Sequence, residues 1–289
     1  MRILFIKSNI HIKNLNFILK CKKIDFTIID RVDDFYKIDI SSFDAVYSPC
    51  DPIDVSHYPN TKFIFGPHFS VFPEKNHMET IKGNKNVLYI QPSEWAKNVW
   101  LFNPLCKNIT IESLPFGVDT EKFSPTKYLL ERDKVFIYFK HRNPNDLQIV
   151  ETFLADKNYN YRIFSYRSRY NEDEYLDYLQ NSKYGIWIGG HESQGFALQE
   201  ALSCNVPLLV WSVKSMNQEY GSNYNDIPAT TIPYWDERCG EYFTNLNDLS
   251  LTFEKFISNI NNYNPREYIL QNLSVDKCEK KLIKLIETI

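Results

Sequence analysis

Short apolar runs alternate with helix-length segments through most of this chain, and that alternation constrains its fold more than any other feature. Stretches 2–7, 26–30, 45–48, 62–65, 87–91 and 109–112 read as strands, bounded by turn or helix signals such as Ser48-Pro49-Cys50-Asp51-Pro52 and Asn103-Pro104. A second set lies at 134–139, 161–165, 184–188 and 207–210, with a further short strand expected near 229–232. The runs are apolar without strict two-residue alternation. That is how strands buried on both faces read, so parallel sheets covered by helices on either side are expected. Segment 115–134 interrupts the pattern with Pro115, Gly117, Pro125 and a charged stretch, and marks a boundary between two α/β units. Toward the end, 249–260 and 275–286 read as amphipathic helices, with a break at Asn264-Pro265 where proline can begin a new helix.

The expected architecture is therefore α/β, with two Rossmann-like parallel-sheet domains facing a cleft. They would span 1–118, a reduced N-terminal domain, and 119–270, followed by a C-terminal helix at 271–289 able to pack back toward the first domain. A chain of 289 residues accommodates two modest cores, and 43% hydrophobic with 24% charged residues is the balance of an ordinary soluble protein. Thirty-three basic against 36 acidic residues give a net charge of -3, which argues against nucleic acid as the main partner. No run approaches the roughly 18 apolar residues of a membrane span. Residues 1–7 read as a first strand and not as a signal peptide, because Lys7 interrupts the apolar core and no small-residue cleavage site follows. The six cysteines are scattered without a C-x-x-C pair, so reduced thiols in a cytoplasmic protein are expected, with no zinc site.

In open parallel sheets the ligand sits beyond the carboxyl ends of the strands, which directs attention to residues just after them. The strongest signal follows strand 184–188: Gly189-Gly190-His191-Glu192-Ser193-Gln194-Gly195-Phe196, opening a helix that continues Ala197-Leu198-Gln199-Glu200-Ala201-Leu202. Three of the nine glycines fall within seven positions there, where backbone can approach a ligand and free N–H groups can hold its oxygens. Ala197, Leu198, Ala201 and Leu202 form the sheet-facing stripe, and Glu200 falls on roughly the opposite side of the wheel, so it is expected outside the core. The plain alternative is a solvated helix-start Glu192 plus a surface Glu200.

Glu192 and Glu200, separated by seven residues around Gly195-Phe196, resemble the E-x7-E motif of retaining glycosyltransferases of the family 4 type, which have the two-domain GT-B fold. Leu114-Pro115-Phe116-Gly117-Val118-Asp119-Thr120-Glu121-Lys122-Phe123-Ser124-Pro125 resembles the interdomain segment of the same enzymes, and the order and spacing of the two motifs agree. The resemblance runs from about residue 87 to 240. It implies that Glu192 contacts the donor sugar's hydroxyls and Glu200 the nucleotide ribose, while amides near Ser193, Gln194, Gly195 and Phe196 meet sugar and diphosphate. Carboxylates suit such diols because each accepts two hydrogen bonds.

A departing diphosphate needs positive charge, and Lys140-His141-Arg142 follows strand 134–139. Lys140 and Arg142 lie closer together than the family's usual Arg and Lys, so which of them reaches the phosphates stays open, as does a solvated basic turn. In 161–170, arginines and aromatics mix. A surface loop and a base-stacking rim with Tyr166 as its candidate both fit, whereas single-stranded nucleic acid fits the acidic balance poorly. Glu172-Asp173-Glu174 after Asn171 is the acidic first turn of a helix and not a metal motif. In the first domain His68, after Phe65-Gly66-Pro67, is the candidate for the histidine that related enzymes turn toward the donor sugar. Ser8-Asn9-Ile10-His11 lacks the family's paired glycines, so acceptor geometry does not carry over. Ser93 is expected to cap a helix, and the resemblance implies that 233–240 closes the cleft, with no specific contact assigned.

The resemblance thus implies a retaining hexosyltransferase-like enzyme, metal-independent and without a cofactor. It would move a sugar from a nucleotide diphosphate donor to a glycan, lipid or protein acceptor. Rival readings are a nucleotide-sugar epimerase or phosphorylase on the same fold, a non-catalytic nucleotide-sugar-binding subunit and, last, a nucleic-acid-binding module. No integral membrane segment is expected, and peripheral membrane contact is left open.

Overall fold

The computed structural model describes residues 1–155, 160–168 and 170–289. The chain divides into two compact units, Met1–Gly117 with Leu273–Ile289, and Val118–Asn272. Each is an all-parallel sheet flanked by helices, so the fold class is the expected one: two Rossmann-like α/β units.

The first unit holds β1 (Arg2–Ile6), β2 (Asp25–Ile29), β3 (Ala45–Ser48), β4 (Phe63–Phe65), β5 (Val87–Gln91) and β6 (Thr110–Ser113), in the order β2-β1-β3-β4-β5-β6. Every residue of β3, β4 and β5 is buried, which is why their sequences are continuously apolar. Leu4, Ile6, Phe63, Phe65, Tyr89 and Trp100 share one core, with the Tyr89 and Trp100 rings stacked 4.3 Å apart. Helix Val275–Glu287 completes this unit. Its buried Glu279 carboxylate accepts hydrogen bonds from the backbone N–H groups of Lys23 (2.6 Å) and Ile24 (3.0 Å), and Lys62 Nζ donates to the Ile286 carbonyl (2.8 Å). A Cβ at Gly117 would lie 2.5 Å from Val275 Cα, so the chain passes the start of this helix only as glycine. Ser93 occupies the cap position of helix Glu94–Leu101 by backbone conformation, yet its hydroxyl makes no capping bond.

The second unit contains β7 (Lys134–Lys140), β8 (Arg162–Ser165), β9 (Ser182–Gly189), β10 (Leu208–Trp211) and β11 (Gly240–Phe243), ordered β11-β10-β9-β7-β8. Taken in chain order this repeats the arrangement of the first five strands of the other unit. In both, the order reverses beside the first strand, between β1 and β3 and between β7 and β9. Those are the positions where loops leave the sheet in opposite directions and open a crevice. The second core is anchored by Tyr138 stacked on Trp187 at 3.9 Å, and Gly185 leaves room for the Phe136 ring on the neighbouring strand.

The last strand is not where the sequence suggested. Residues 229–232 are irregular, because their polar groups bond to the ends of other strands: Thr231 Oγ1 donates to the Gly189 carbonyl (3.2 Å) and accepts from the Val213 N–H (3.1 Å). The edge is instead β11, paired from Leu208↔Gly240 to Trp211↔Phe243.

Candidate functional site

The site is built at the reversal point of the second sheet. Lys140 closes β7 opposite Gly189, which closes β9. His141 then adopts a left-handed backbone (φ 53), and the Gly190 N–H donates to the Lys140 carbonyl at 2.8 Å. A Cβ on Gly190 would come within 3.2 Å of His141, so the two loops run side by side with little room for a side chain there. Across this junction Lys140 Nζ lies 2.9 Å from the Glu192 carboxylate, both side chains being largely buried. Burial alone would pull the Lys140 pKa down, but the adjacent Glu192 more than compensates and leaves it above its ordinary value. The ammonium also sits 4.8 Å from the centre of the Tyr166 ring. Glu192 is anchored through its backbone, whose N–H donates to the Thr230 carbonyl at 2.9 Å.

The turn after Glu192 leaves Ser193 exposed and Gln194 buried, and Gly195 enters helix Phe196–Ser203 from a left-handed conformation (φ 83). Gln199 holds this turn closed, donating from Nε2 to the Gln194 carbonyl at 2.8 Å. Phe196 is half-buried. Glu200 departs from expectation: it is only 4% exposed, and Glu192 only 8%. The helical wheel failed because this helix is covered on more than its sheet side. Helix Pro265–Asn272 packs against it, the Tyr175 hydroxyl donates to the Ala197 carbonyl (3.1 Å), and the charge of Glu200 acts on the Tyr138, Tyr170 and Tyr175 phenols. The reading of both glutamates as solvated surface groups is thereby overturned.

Arg142 takes a different place from Lys140. It is buried, with Nε donating to Asp146 Oδ2 (2.8 Å) and Nη1 to the carbonyls of Gly189 (3.3 Å) and Trp211 (3.2 Å), so it ties strand ends together. Tyr166 is half exposed, its ring 5.3 Å from that of His141. Arg167 lies 5.7 Å from the Tyr220 ring, and Arg169 of the same loop lies outside the described residues. The acidic run is used locally: Asn171 Oδ1 accepts from the Asp173 (2.8 Å) and Glu174 (3.3 Å) N–H groups, and Glu172 pairs with Lys122 at 2.6 Å. In the first unit His68 follows β4, with its backbone N–H donating to the Pro49 carbonyl (3.0 Å) and its buried Nε2 without a hydrogen-bond partner among the described residues. Burial, with His11 nearby, pushes its imidazole down to about 4.

One residue of the site escaped the sequence reading. Glu219, eight positions beyond β10, places its carboxylate 3.1 Å from His191 Nδ1 and 3.7 Å from His141 Nδ1. The signal was its position in the loop after a strand, diluted by the length of that loop. Burial raises the Glu219 pKa, against the pull of Lys140. His191 is pushed down to about 4 by burial, then by Lys140 and His141, from an ordinary 6.5. Between those two values the unfolded chain binds a proton that the folded one refuses, so stability falls as pH drops through this window. Melting temperatures from pH 7.5 to 4.5 are expected to decline less steeply in His191→Gln than in the wild type, and equal slopes would contradict the assignment.

Among the described residues no group of three His, Cys, Asp or Glu side chains is placed to hold a metal, and no helix is long and apolar enough to cross a membrane.

No family model matches the sequence, and no curated protein does. Among solved structures, the N-terminal domain of Candida albicans trehalose-6-phosphate phosphatase is similar at a TM-score of 0.54 and 13% identity, over 99% of this chain and 96% of that one. WaaG, a glycosyltransferase involved in lipopolysaccharide biosynthesis, gives 0.49 and 9% over 99% of both chains. A chain of the GtfA/B complex gives 0.47 and 15% over 81% of this chain, which spans 54% of that chain's length. At such identities the likeness to the first of these is one of fold.

Proposed function

We propose that the protein is a retaining, metal-independent glycosyltransferase of the GT-B type, using a nucleotide diphosphate-sugar as donor and a glycan, lipid or protein hydroxyl as acceptor. The observation that carries this reading is the buried Lys140–Glu192 pair at the sheet's reversal point, 2.9 Å apart, with buried Glu200 on the helix that follows. An ammonium there offsets the charge that develops on a departing diphosphate, and preorganised charge of this kind is worth most where water is excluded. Glu192 accepts from sugar hydroxyls, the N–H groups of residues 193–196 meet sugar and diphosphate oxygens, and Glu200 accepts from the ribose diol. Tyr166 offers a ring face for the base. Arg142 acts behind Lys140 by fixing the strand ends. In the first unit His68, held neutral at pH 7, is the candidate for orienting the sugar.

A thermal-shift screen of uridine, guanosine, adenosine and cytidine nucleotides and their sugar esters tests the reading. Ligand at a hundred times its Kd adds about 2.7 kcal/mol to stability, an easily resolved shift. One base family is expected to stabilise the protein, and Glu200→Ala to weaken that ligand at least about tenfold, the worth of one charge-assisted hydrogen bond at the low end of its range. If nothing in the panel stabilises the protein, the reading fails. Donor hydrolysis by wild type and Glu192→Ala then separates an enzyme from a binding subunit.

A further inference from the structure

We infer that Arg266 is a positioning residue for Glu200, clasping the end of helix Phe196–Ser203 to segment 118–125; this rests on the donor-site reading of Glu200. Arg266 lies in the first turn of helix Pro265–Asn272. Its Nη1 donates to the carbonyls of Ser203 (2.7 Å) and Phe123 (3.1 Å), and its Nη2 to that of Thr120 (3.1 Å). Its backbone N–H donates to Asn205 Oδ1 (3.1 Å), just where the chain leaves the Glu200 helix in a left-handed turn (φ 58). Ser203 closes the loop, donating from Oγ to the Phe123 carbonyl at 2.6 Å.

The partners of this guanidinium are carbonyl oxygens, with no carboxylate among those bonds. The last carbonyls of a helix lack partners within it and carry the negative end of its dipole, so a cation there is stabilised without a counter-ion. Buried Arg132 adds to the effect, its Nη1 donating to the carbonyls of Cys204 (2.9 Å) and Ser182 (3.3 Å). The turn so gripped is the one that carries Glu200, whose carbonyl accepts from the Cys204 N–H at 3.1 Å. On the other side of the clasp, Asp119 shapes the turn that presents the two carbonyls: its Oδ1 accepts from the Lys122 N–H (3.1 Å) and its carbonyl from the Phe123 N–H (2.9 Å). The two sequence motifs are thus joined physically, the Asp119–Phe123 turn being fastened to the helix of Glu200. Only a planar fork reaches three carbonyls at once; a lysine supplies the charge without the span.

Three measurements on the full chain test this. Hydrogen exchange is expected to be about tenfold faster at amides 200–205 and 120–124 in Arg266→Ala, and intermediate in Arg266→Lys. By calorimetry with UDP, GDP, ADP and CDP and their glucose esters as probes, Arg266→Ala should weaken binding about five- to tenfold. In a Glu200→Ala background the same change should cost less than twofold. Unchanged exchange overturns the clasp, and losses that simply multiply in the double variant overturn the action through Glu200. If the wild type binds none of the probes, the donor reading and with it the role assigned to Glu200 fall, while exchange still decides whether the clasp exists.

Discussion

On the proposed function, Lys140→Ala is expected to lower turnover of the nucleotide-sugar donor by about a hundred- to a thousandfold, the usual consequence of removing a preorganised group that stabilises developing charge. The loss should fall on kcat more than on KM, because the ammonium matters most once negative charge has moved onto the diphosphate. Two effects must be separated. Removing Lys140 also leaves Glu192 buried without the partner that lies 2.9 Å away, and stripping one member from a buried ion pair commonly costs about 3–5 kcal/mol of stability. The double variant Lys140→Met with Glu192→Gln removes both charges together, so it should recover most of the stability while staying inactive. Turnover within about threefold of wild type in Lys140→Ala would rule out the proposed role for this cation, whatever happens to stability.

Gly240→Ala is expected to be the most damaging single-methyl change in the second unit, destabilising it by about 3 kcal/mol or more and reducing soluble yield. Gly240 begins β11 with φ +131, a conformation that side chains resist, and a Cβ built there collides with the Leu208 carbonyl on the neighbouring strand. Gly221 provides the internal comparison. It also has a positive φ, +83, but among the described residues nothing lies within 4 Å of its Cβ position, so Gly221→Ala should cost only about 1 kcal/mol from the backbone alone. Urea unfolding of both variants measures the difference, and similar losses would show that the contact with Leu208 is relieved by a shift of the edge strand.

The same glycine explains where the sequence was hard to read. Strands buried on both faces, such as β4, β5 and β7, announce themselves as apolar runs, and ten of the eleven strands among the described residues, the edge strands β2, β6 and β8 included, lie within a residue or two of their expected places. β11 did not, because its four residues hold little apolar signal: the run begins with a glycine, continues with Glu241, and only Phe243 buries a large side chain while Tyr242 is half exposed. The stretch 229–232 looked more like a strand by composition but bonds through its threonines instead. In the site, proximity to strand ends was legible and pointed to Lys140, Glu192 and the helix of Glu200. The burial of Glu200 was not legible, since it depends on Pro265–Asn272, a helix more than 60 residues away in sequence. Glu219 was hidden for the converse reason, lying in an irregular loop where position carries no periodicity.

The division of the chain also sets an order of completion during synthesis. Val118–Asn272 is one uninterrupted stretch, whereas the first unit needs Leu273–Ile289, which supply the helix whose Glu279 carboxylate receives the Lys23 and Ile24 amides. At translation speeds of about 5–20 residues per second, the sheet begun first waits roughly 10–30 s for its covering helix, while the sheet begun second already has all its strands. The unit started first is thus completed after the one started second, and for that interval it lacks the helix that caps the Lys23 and Ile24 amides.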